Sequence, residues 1–155
     1  MATPEEIRAD LDKDELNYPK LAQKYGESAL PHLKSLVADD EPRIAPKAAY
    51  LAGLIAGKAS HEVVGVAARS RHEVTRVAAA AATAMLPVRD GVNIASRLLN
   101  DADVGVRIMA AKSAAKIGDA SLIARLRVMA NQDKESHVRA LAVQLADTHD
   151  RKTKP

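Results

Sequence analysis

The chain has 155 residues, with 23 Lys and Arg against 20 Asp and Glu, and it lacks Cys, Phe and Trp altogether. Without cysteine there is no disulfide framework and no sulfur-ligated metal site, and with three Tyr as the whole aromatic content the core must come from small aliphatic side chains on closely packed helices. The longest apolar runs, "AAYLAGLIAG" and "VAAAAATAML", are about half the length a bilayer-spanning helix needs, so no membrane span is expected and a cytoplasmic location is the default.

In chain order, Thr3-Pro4-Glu5-Glu6 supplies an N-cap, a proline for the first helical position and a glutamate for the third, and so predicts a helix start. Pro19 to Tyr25, stopped by Gly26, predicts a short second helix. This leading pair, residues 1–26, departs from the pattern of the remaining chain and reads as an N-terminal cap.

An internal period governs the rest. A β-branched residue follows an acidic turn at Ile44, Val74, Val106 and Val138, in steps of 30, 32 and 32 residues. Behind these anchors the sequence places Ala48, Leu51 and Ile55; Ala78, Ala81 and Met85; Ala110, Ser113 and Ile117; and Ala142, Leu145 and His149 on one helix face. Moving the second anchor to Thr75 instead puts Arg76 where Arg107 and Arg139 sit, and both registers stay open. Ahead of each anchor lies a shorter periodic segment: "SALPHLKSLVAD", "HEVVGVAARS", "GVNIASRLLND" and "SLIARLRVMANQ". The prediction is an all-α single domain of ten helices in five antiparallel pairs without strands. Its four hairpin repeats fall at about 27–57, 58–87, 88–118 and 119–149, before a charged tail at 150–155.

The stretches "DADVGVRIMAAKSAAKIGDASLIARL" and "ALPHLKSLVADDE" resemble HEAT repeats of the short bacterial kind, over about residues 27 to 149. The third copy carries the pattern through Asp101, Val106, Arg107, Ala110, Ala111, Ile117, Gly118 and Asp119. The first departs from it, with Ala45 where the arginine belongs and Pro46 inside the second helix. The resemblance implies a right-handed α-solenoid whose second helices line the concave side. It also implies binding more often than catalysis, although some relatives act as lyase-like chaperones for chromophores and some as base-excision enzymes.

Two groups of polar residues then separate. Arg107 and Arg139 project beside the alanine face, where neighbouring turns can offer Asp101, Asp103 or Asp133, and they suit a ladder of inter-repeat charge-assisted hydrogen bonds. The opposite ridge of the second helices carries the partner-binding candidates: Arg43, Lys47, Tyr50 and Leu54 in the first copy, Arg76 in the second, Ile108, Met109, Lys112 and Lys116 in the third, Leu141 and Gln144 in the fourth. Apolar groups rimmed by cations suit an acidic, amphipathic segment of another protein. The alternative is nucleic acid, with Lys47, Arg76, Lys112 and Lys116 on phosphates, and lyase-like chaperone action rests on the resemblance alone. No serine elbow, phosphate-cradling glycine loop or HExxH pair occurs, and the five histidines are isolated in sequence. No catalytic residue, cofactor or metal is therefore expected.

Overall fold

The computed structural model describes residues 2–155. Ten α-helices follow one another: α1 Pro4–Leu11, α2 Tyr18–Tyr25, α3 Leu30–Ala38, α4 Ala45–Ile55, α5 Ser60–Ala67, α6 Glu73–Ala82, α7 Val88–Leu98, α8 Val104–Ile117, α9 Ala120–Gln132 and α10 Ser136–Thr153. Short 3-10 turns precede α3 and follow α6, and no strand occurs among the described residues. The predicted helix count and class hold. Local chemistry sets the ends: Thr3 and Glu6 form a reciprocal capping box at α1, Asp103 caps α8, and Gly118 closes α8 in the left-handed region at φ 70°. α10 runs to Thr153, through most of the stretch that reads from the sequence as a tail.

The helices form two rows. α4 packs on α2 and α6, α6 on α8, and α8 on α10; the first helices make a parallel row through α1, α3, α5, α7 and α9. Contacts along the second-helix row are the more extensive, and the reason is the alanine face. Ala49, Ala80 and Ala111, on α4, α6 and α8, are wholly buried. Nine residues beyond the first anchor stands Gly53, where a Cβ would lie 2.9 Å from both the Ala82 Cβ and the Met85 Cε. Small residues there let backbones approach more closely than leucine would allow. The larger aliphatics, among them Leu33, Ile44, Leu51, Leu98, Leu122 and Leu126, fill the space between the rows.

The structure settles the second copy. Thr75 is fully buried, with Ala79, Ala82 and Leu86 behind it, whereas Val74 is 47% exposed. The anchor is Thr75, and the steps between buried anchors become 31, 31 and 32 residues. Ala78, Ala81 and Met85, placed in the core by the Val74 register, are half-buried instead. Thr75 Oγ1 finds no hydrogen-bond partner, so a hydroxyl occupies a position that Ile44, Val106 and Val138 fill with methyl groups.

Candidate partner-binding groove

The arginines separate first. Arg107 Nε and Nη2 donate to the two carboxylate oxygens of Asp133 at 2.9 and 3.1 Å, and its Nη1 donates to the Asp101 and Ala102 carbonyls at 3.0 and 3.1 Å. Arg76 repeats the arrangement one copy earlier, on both oxygens of Asp101 at 2.9 and 3.1 Å and on the Ser70 carbonyl at 2.9 Å. Arg139 Nη1 reaches the Asp133 carbonyl at 2.6 Å. Each aspartate also accepts from the backbone N–H two residues on, at Asp103 and Glu135. One carboxylate thus fixes its own turn and the second helix of the preceding copy together.

This is the ladder the sequence suggested for Arg107, with Asp133 as its partner; Arg139, suggested with it, reaches only a carbonyl of its own turn, and the other rung is Arg76 on Asp101. Both guanidinium pKa values rise, chiefly through the hydrogen bonds to Asp101 and Asp133. Burial pushes the Asp133 carboxyl up, but the Arg107 guanidinium and the Glu135 N–H outweigh it and hold the group below its ordinary value. In the first copy the rung is missing at both ends. Ala45 stands in the arginine position, and Ser70 stands where the aspartate would be, its hydroxyl donating to Asp40 and accepting from the His72 N–H.

The ladder corrects the ridge. Arg76, read as a partner-binding candidate, is a structural clamp on Asp101. Arg43 and Lys47 are also engaged: Arg43 pairs with Asp12 and more distantly with Asp14, and Lys47 Nζ donates to the Leu11 and Lys13 carbonyls at 2.9 and 3.1 Å, satisfying acceptors at the end of α1. Ile108 is half-buried against the core, while Leu141, half-buried, and Gln144, exposed, lie apart from the groove that the other candidates line.

Those others converge. Lys112, Lys116, Met109 and Tyr50 line a groove of about 670 Å³ that crosses α4, α6, α8 and α10. Its floor includes Ala81, Met85 and Leu145, and its rim gains His149 and Lys152 from the last turns of α10. No carboxylate lines it, and none of Lys112, Lys116 or Lys152 makes an ion pair among the described residues. Lys152 escapes the sequence reading because the fourth repeat ends at 149, and His149 because its offset from Val138 put it on the anchor face; the helical spacing from Leu145 through Thr148 and His149 to Lys152 carries the signal. Leu54 lies in an adjoining depression with Tyr18, whose ring meets that of Tyr50 edge-on at 4.7 Å between centroids.

The groove sets lysine ammonium groups beside thioether and leucine side chains. Among the described residues no cluster of three or more His, Asp or Glu is arranged to hold a metal ion, and no helix is long and apolar enough to cross a membrane. A search of curated proteins finds no match to the chain. The family model for HEAT repeats matches residues 62–146, which takes in α6 to α9 whole, the first part of α10, both arginine clamps and most of the groove. The chain therefore belongs to the HEAT-repeat family.

Proposed function

We propose that this protein is a non-enzymatic scaffold that holds an acidic, amphipathic segment of another protein in the groove of its second helices. One observation carries the reading: Lys112, Lys116, Lys152 and His149 surround Met85, Met109 and Leu145, with no acid among them. Cations placed for folding are paired, as Arg76 and Arg107 are. A rim of unpaired lysines over thioether and leucine side chains suits carboxylates alternating with apolar groups. HEAT repeats generally serve as interaction scaffolds, which agrees with it.

Nucleic acid is the poorer fit. Of the four residues that would meet phosphates, Lys47 and Arg76 are spent on backbone carbonyls and on Asp101, and Tyr50 is the one aromatic in the groove on which a base could stack. The test is a pair of titrations followed by fluorescence anisotropy, one with a peptide alternating Glu and Leu, the other with single-stranded and duplex oligonucleotides. Saturable peptide binding with weak oligonucleotide binding is expected. Oligonucleotide binding that is the tighter, and that falls about 10³-fold or more between 50 and 200 mM salt as multiple phosphate contacts require, would replace this reading.

A further inference from the structure

The groove is not uniform along its length. Its lysines, Lys112, Lys116 and Lys152, and His149 all belong to α8 and α10. At the other end, beyond the Ala81 and Met85 floor of the α6 stretch, lies the second depression of about 650 Å³, lined by Leu16, Tyr18, Pro19, Tyr50 and Leu54 with Glu15 and Asn17 at its edge. Tyr50 lines both concavities, so they adjoin along one face of the second-helix row. Glu15 is the one charged residue of the aromatic end, and its sign is opposite to that of the far end.

We infer that the two concavities form one bipartite site with a fixed polarity, which takes an extended peptide segment acidic at one end and apolar or aromatic, with no acid, at the other. This deepens the proposed function and rests on it. Four helix-to-helix steps from α2 to α10, at about 9 Å each, make a span that an extended chain covers in about 11 residues, whereas an α-helix would need about 24. An extended segment also presents alternate side chains to the groove, so a short apolar block and a short acidic block suffice. Charge complements both ends: the lysines attract the acidic block, and Glu15 repels an acid brought to the tyrosines. Tyr50, wedged edge-on against Tyr18, is the specificity-determining residue, since it alone borders both halves.

Two labelled peptides of about 12 residues and identical composition test this by fluorescence anisotropy. One carries its glutamates as a block at one end and its leucines and a tryptophan at the other; the second intersperses them. The block peptide is expected to bind about tenfold more tightly or better, and Tyr50→Ala to erase that advantage while Tyr50→Phe keeps it, with melting curves showing each variant folded. Equal affinities, or a Tyr50→Ala loss that is the same for both peptides, would overturn the polarity while leaving the scaffold reading intact. Failure of both peptides to bind would overturn both.

Discussion

Arg107, Arg43 and Lys112, alike in charge, do different work because of what each reaches. The Arg107–Asp133 pair is nearly sealed, with side-chain exposures of 6% and 5%, whereas Arg43 and Asp12 stand at 57% and 52%. Removing one partner of a buried pair leaves an uncompensated charge and costs about 3 to 5 kcal/mol, while an exposed pair contributes about 0 to 1 kcal/mol. Chemical denaturation of Arg107→Ala should therefore show a large loss of stability, and that of Arg43→Ala or Lys112→Ala almost none. Comparable losses for all three would remove the ladder as a source of cohesion. Thr75 gives the opposite expectation. Its buried hydroxyl has no partner, and an unsatisfied buried group costs about 1 to 3 kcal/mol, so Thr75→Val should raise the denaturation midpoint; a lower one would mean that the hydroxyl is satisfied after all.

At the scale of the helix, cohesion depends on how closely second helices approach. A Cβ at Gly53 would come within 3.3 Å of the Ala82 Cα as well as 2.9 Å from its Cβ, and since that neighbour is backbone, not a flexible tip, α4 and α6 must move apart. Gly53→Ala gains helix propensity worth about 1 kcal/mol, but overpacking costs about 1 to 3 kcal/mol; the net expectation is a lower melting temperature, measured by circular dichroism at 222 nm. A higher melting temperature would show that the row has slack. Helix periods and anchors in the first, third and fourth copies were legible in the sequence because Ile44, Val106 and Val138 are β-branched, apolar and buried. The second was obscured because Thr75 is polar in composition and valine-like in shape, and exposed Val74 stands beside it. That single shift moved Arg76 from the clamp to the ridge. The fates of Arg43 and Lys47 were not legible at all, since their partners belong to the α1–α2 connection, which does not follow the repeat.

For the whole molecule, the carboxylates that tie copies and ends together set the acid limit of stability. Asp10, gripped by Lys13, Lys24 and the Tyr25 hydroxyl, and Asp133, on Arg107 and the Glu135 N–H, both ionise more readily folded than unfolded. Their contribution is complete above the unfolded aspartate value, about 3.9, and is lost as pH falls through the lower folded values. Stability should thus be flat near neutrality and decline below about pH 4, and Asp133→Asn should lower the plateau and flatten part of that decline. A decline that begins near pH 6 would point to histidine instead. Cations for folding and cations for binding are, on this reading, distinct sets on one scaffold. The sharpest check of that separation compares two variants by peptide titration and thermal melting: Lys112→Glu/Lys116→Glu/Lys152→Glu, and Arg76→Ala. The triple variant is predicted to keep the wild-type melting temperature and lose the acidic amphipathic peptide, and Arg76→Ala to melt earlier yet bind it with wild-type affinity while folded. Undiminished peptide binding by the triple variant, or loss of binding in folded Arg76→Ala, would contradict the separation.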